Sequence, residues 1–138
     1  MTKKFFETIL LAVFIVVGSQ NVFAAENESD NEFYLGLFDD VYEGYLQLDT
    51  IEPYKNMKGK HFIGEGYTCK VRLYRINSDL VHTVIYDYQV APKLRLKKDG
   101  SYYSDEKIQK LLSMPNHPET RMMTYLNELW KKSVIGGN

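Results

Sequence analysis

The chain of 138 residues has one cysteine, four prolines, one tryptophan and three histidines. The lone thiol, Cys69, excludes an internal disulfide framework and a cysteine-rich zinc site. His61, His82 and His117 have no metal-ligand spacing with one another or with Cys69, so no metal is expected. There is no Gly-rich phosphate loop and no nucleophile elbow, and no cofactor is expected. Long apolar runs are missing too. The run Ile9–Val17 falls short of the roughly 20 residues that a membrane span needs, so no stable membrane anchor is expected. Positive charge is absent over a whole segment, with no Lys or Arg between Ala25 and Glu52. The formal net charge is only −1, which together with export argues against a nucleic-acid partner.

What is present begins with an address. Lys3 and Lys4 precede the apolar run, and Val22-Phe23-Ala24 offers a cleavage site. Residues 1–24 thus read as a cleaved secretory signal peptide of bacterial form, which places the protein in the periplasm or outside the cell. Residues 25–31 are polar and acidic, a disordered lead-in. Residues 32–138 form a single domain.

The domain is organised around Tyr67–Val90, which alternates as a β-hairpin does. Tyr67, Cys69, Val71 and Leu73 share a face with Leu80, His82, Val84, Tyr86, Tyr88 and Val90, while Thr68, Lys70 and Arg72 lie opposite with Thr83, Asp87 and Gln89. Pairing Leu73 with Val84 and Tyr67 with Val90 puts apolar against apolar and sets Lys70 across from Asp87. It leaves Asn77–Leu80 as the loop. Cys69 falls on the apolar face as a small buried residue.

Upstream, Tyr34, Phe38, Val41, Tyr45 and Leu48 recur at three- and four-residue steps, the spacing of an amphipathic helix over 32–48. Asp49–Lys60 reads as a linker and His61–Ile63 as a short strand. Downstream, Lys93–Lys97 alternates as a strand, Lys98–Ser101 is a turn and Tyr102-Tyr103 starts a short return. Ser104 caps a helix running to about Ser113, and a second helix starts near Pro118, where His117 caps. The expected class is α+β: an N-terminal amphipathic helix, an antiparallel sheet of three to four strands centred on the 67–90 hairpin, and two C-terminal helices.

Basic residues dominate from Lys55 to Lys98. Lys70, Arg72, Lys93, Arg95 and Lys97 fall together on the outer sheet face in this reading. A protein partner is the first expectation, with Arg72, Tyr74, Lys93 and Arg95 as its contact residues, since Tyr and Arg anchor interfaces. No catalytic residue is assigned. A small-molecule or lipid carrier, with its cavity between the 32–48 helix and the sheet, is the alternative. A small hydrolase using His61, Glu65 and His82 stands third.

Two stretches, Tyr34–Tyr45 (YLGLFDDVYEGY) and Ile108–Leu126 with its His117-Pro118-Glu119-Thr120-Arg121 segment, resemble the periplasmic Tai-type immunity proteins, which neutralise cell-wall amidases delivered by type VI secretion. The first is similar to that family's first helix and the second to its loop and last helix. That family is largely helical with paired cysteines, unlike the strand-rich middle here. The resemblance implies binding and inhibition of a secreted effector or cell-wall enzyme.

Overall fold

The computed structural model describes residues 31–136. The expected signal peptide, and the lead-in as far as Asp30, lie outside the described residues. The chain divides into two compact units at Phe33–Tyr34, and the second carries almost everything that follows. Six antiparallel strands run in sequence order, β1 (Glu32–Phe38), β2 (Tyr42–Lys58), β3 (His61–Arg75), β4 (Val81–Ala91), β5 (Arg95–Lys98) and β6 (Ser101–Tyr102). Two helices close the chain, α1 (Asp105–Leu112) and α2 (Pro118–Gly136).

The helix expected over 32–48 does not form, and the sheet has six strands rather than three or four. Two local features decide this. Asp39 and Asp40 both take positive φ, 53° and 61°, and Val41 N–H donates to Phe38 O at 3.2 Å. That is a two-residue hairpin turn of the type whose twist suits antiparallel strands, in residues that tolerate the left-handed region. Gly36 sits at φ 122°, a value closed to a helix and to most side chains. The apparent helical spacing arises because the turn separates Phe38 from Val41 by three positions.

The expected linker Asp49–Lys60 is also strand, nearly all of it the distal part of β2. The β2–β3 ladder jumps from Gln47–Lys70 to Glu52–Thr68, so the strand bulges between them. Thr50 stitches the bulge: its hydroxyl donates to Gln47 O at 2.6 Å and accepts from Lys70 N–H at 2.9 Å. Pro53, opposite Tyr67, is tolerated because β1 is only seven residues long and its tight turn aligns it with the first part of β2. Beyond that, β2 is an edge among the described residues, and its N–H is not required there. The strand returns through a Gly59-Lys60 turn.

The central hairpin forms, with both faces as expected, but its register differs by two residues. Val71 faces Val84, Cys69 faces Tyr86 and Tyr67 faces Tyr88. The loop is Ile76–Asp79, closed by Arg75 N–H to Leu80 O at 3.0 Å. Ile76 N–H donates to Val41 O at 2.9 Å, which extends the β2–β3 pairing one step past Tyr42–Arg75. In this register the Lys70–Asp87 pairing is absent. Asp87 faces Thr68 and Lys97 instead.

The inner sheet face and the helices make the core. Leu46, Val71, Tyr86, Tyr88 and Leu96 are wholly buried, as are Met122 and Leu126 of α2. Ser104 caps α1 by accepting from Lys107 N–H at 3.1 Å, and His117 Nδ1 accepts from Glu119 N–H at 3.1 Å at the start of α2. Both caps match the sequence expectation. Gly66 lets β3 and β4 approach where their ladder shifts: a Cβ there would lie 2.0 Å from Tyr88 O. No helix among the described residues is long and apolar enough to cross a membrane.

Candidate interaction face

Alternation places Tyr45 and Gln47 of β2, Thr68, Lys70, Arg72 and Tyr74 of β3, and Thr83, Ile85 and Asp87 of β4 on the face turned away from α1 and α2. Three tyrosines line up there. Tyr34 and Tyr45 have ring centroids 5.1 Å apart, and Tyr45 meets Tyr74 edge-on at 5.6 Å, both favourable aromatic geometries. Arg72 is exposed directly across from Tyr45, and Ile85 is 52% exposed across from Lys70. Beneath the row, Tyr34 Oη donates to Glu43 Oε1 at 3.4 Å. Burial raises the Glu43 carboxyl above its ordinary value, against this hydrogen bond, which lowers it.

A second cluster occupies the other end of the same face. Arg95 and Lys97 both lie over the Tyr102 ring, at 4.1 and 4.6 Å. Tyr54 Oη donates to Asp87 Oδ1 at 2.7 Å, and burial with this bond pushes the phenol above its usual range.

Of the residues expected to bind a partner, the fold joins Arg72 and Tyr74 and separates the rest. Arg95 pairs with Gln89, which pairs with Gly66, six positions along β3 from Arg72. That is about 20 Å along the strands. Lys93 is off the sheet, in the β4–β5 connection, where its Nζ meets Asp105 Oδ2 of α1 at 2.7 Å. With Leu94, Asp105, Ile108 and Gln109 it borders a shallow cleft of about 240 Å³.

The hydrolase candidates do not converge. His61 begins β3, Glu65 follows four residues on, and His82 faces Leu73, about 25 Å from Glu65 along the strand. His82 Nε2 instead meets Tyr42 Oη at 3.3 Å, and Arg75 lies 5.6 Å over the Tyr42 ring. Cys69 is buried, its Sγ 4.0 Å from Met122 Sδ, and burial, with a lesser push from Asp87, moves its thiol up to about 12. Such a thiol is not a nucleophile at neutral pH. The cavity that a carrier requires beneath a 32–48 helix has no counterpart, because that segment is sheet.

One constellation was missed in the sequence. Glu119, 5% exposed in the first turn of α2, accepts from Tyr86 Oη and Tyr103 Oη, both at 2.5 Å to Oε2. The helix N-terminus favours a carboxylate there. Burial and the adjacent carboxylate raise both phenols well above their ordinary value. Enclosed and doubly bonded, the group ties α2 and the β6–α1 junction to β4. Its signal was positional: Glu119 lies three, four and seven residues before Met122, Met123 and Leu126, on the buried stripe itself. Among the described residues no cluster of His, Cys, Asp or Glu fits a metal ion.

No protein-family model, no curated protein and no solved structure matches the chain.

Proposed function

We propose that this is a small exported protein-binding domain, an inhibitor or immunity protein that occludes its partner with the outer sheet face. The observation that carries the reading is the row of contacting rings Tyr34–Tyr45–Tyr74 beside exposed Arg72 and Ile85. Preordered aromatics next to an arginine supply anchor area at low entropic cost, and both helices are engaged on the opposite face. The resemblance of Ile108–Leu126 to the loop and last helix of immunity proteins points the same way, towards a secreted effector or cell-wall enzyme, whereas Tyr34–Tyr45, likened to that family's first helix, is a hairpin and lends no support.

The test compares captures from cell extract and culture supernatant by the wild-type chain, an Arg72→Ala/Tyr74→Ala variant and a Lys93→Ala variant. The expected result is one stoichiometric protein held by wild type and Lys93→Ala and lost, by at least tenfold in affinity, from the double variant. Equal retention by all three removes the outer face from the site.

A further inference from the structure

Beyond the Glu65–Ala91 pair, β3 has only β2 beside it among the described residues. From there the β2–β3 ladder continues through Lys55–Glu65 and Met57–Phe62 to Lys58–His61 before the turn. The result is a two-stranded ribbon whose paired residues reach about 13 Å past the end of the β3–β4 ladder. Every residue from Lys55 to Ile63 is exposed. Three of them are large and apolar: Met57 at 48%, Phe62 at 41% and Ile63 at 50%. Lys55, Lys58 and Lys60 stand among them with no acid between Tyr54 and Gly64, and Lys55 Nζ lies 5.9 Å from the Phe62 centroid.

Lysines alone on a bare ribbon protect it against pairing with other strands. That role does not require three large apolar side chains at the same tip, each left about half exposed. A contiguous exposed apolar patch marks an interaction site. Its composition selects the partner. Protein interfaces are enriched in Phe and Met, which the tip has, but depleted in Lys, and the tip carries three lysines and no Trp, Tyr or Arg anchor. Its apolar groups sit at the end of a projecting two-stranded ribbon, which can enter a deformable interface. Lysine stems lie along apolar surface while their ammonium groups reach outward to phosphate.

We propose that the β2–β3 tip docks on a bilayer surface rich in anionic headgroups, with Met57, Phe62 and Ile63 entering the headgroup–acyl boundary and Lys55, Lys58 and Lys60 among the phosphates. The inference goes beyond the outer-face reading and does not depend on it. A tip so held fixes the domain peripherally at a membrane while leaving the tyrosine row on a separate part of the sheet.

The experiment reads the tip alone. An environment-sensitive fluorophore is attached at Lys60→Cys in the full chain, Cys69 being buried and inert, and the chain is titrated with phosphatidylcholine vesicles with or without one-third phosphatidylglycerol. The expected result is a blue shift with the anionic vesicles only. Adding Lys55→Gln and Lys58→Gln weakens it by roughly twenty-five-fold, at about fivefold per lysine near an anionic surface, and Phe62→Ser abolishes it. All these positions are exposed, and circular dichroism checks that the fold is kept. No shift, an equal shift with neutral vesicles, or a concentration-dependent shift without vesicles, which would mark a second copy of the chain, each overturns the proposal.

Discussion

Tyr86 of β4 and Glu119 of α2 meet at 2.5 Å, hydroxyl to carboxylate, in a site from which water is nearly excluded. Tyr103 donates to the same oxygen, so one carboxylate satisfies two hydroxyls. Glu119→Ala leaves both without their acceptor and is expected to cost about 3 kcal/mol, since each buried unpaired group costs about 1–3 kcal/mol. Glu119→Gln keeps an acceptor and costs less. Urea unfolding with an unchanged m-value is the measurement, and a loss below about 0.5 kcal/mol for Glu119→Ala, within the range of an ordinary surface change, contradicts the account.

Glu43 predicts a pH effect of definite sign. Its folded pKa is raised from 4.5, chiefly by burial. The folded state therefore holds the proton more tightly than the unfolded one, and stability from this group, full below 4.5, is lost as pH rises through the raised value. Glu43→Gln removes that loss while leaving an acceptor for Tyr34. The variant should unfold at a higher urea concentration than wild type at pH 7, and the advantage should shrink as pH falls towards 4.5. A constant difference across that window would place the effect elsewhere.

Gly66→Ala sets a Cβ against backbone, 2.0 Å from Tyr88 O and 2.7 Å from Gln89 Cα. Neither neighbour is the end of a flexible side chain, so the strands must part. The expected cost is about 3 kcal/mol or more, in the range of severe backbone and packing changes. Thermal melting followed by far-ultraviolet dichroism checks it. A melting temperature within a degree or two of wild type would mean that the β3–β4 approach is looser than described.

Thr50→Val removes the hydroxyl that accepts from Lys70 N–H. The bond is exposed, so water replaces part of it and the loss is about 0.5 kcal/mol, the low end for a hydrogen bond. Hydrogen exchange is the sharper readout: the Lys70 amide should exchange faster while the Val71 amide is unaffected. Unchanged Lys70 protection would show that the bulge does not depend on the hydroxyl.

The elements legible in the sequence were those with one local solution. Ser104 followed by two acids started α1, and the Met122–Leu126 spacing set the buried stripe of α2. Strict alternation gave the faces of β3 and β4. Alternation is blind to a shift of two, however, because the side-chain period is two and every residue keeps its face. The register observed is closed at the loop by Arg75 N–H on Leu80 O, and no local pattern of side chains distinguishes it from the one two residues away. At Tyr34–Tyr45 two periods competed. Phe38 and Val41 satisfied a helical step, and only the left-handed Asp39-Asp40 turn and Gly36 resolved it as strand.

The sequence by itself determined which side chains of the 67–90 hairpin share a face, where the C-terminal helices start, and that the single thiol belongs to the apolar side. Those follow from the periods of helix and strand and from capping chemistry, which act over a few residues. The tertiary structure decided the rest. It set Arg72 beside Tyr45, sent Lys93 to α1, buried Glu119 between two hydroxyls and left the Lys55–Ile63 tip bare. Each of these depends on which strand end meets which neighbour, and that is set by ladder register and helix docking across long sequence separations.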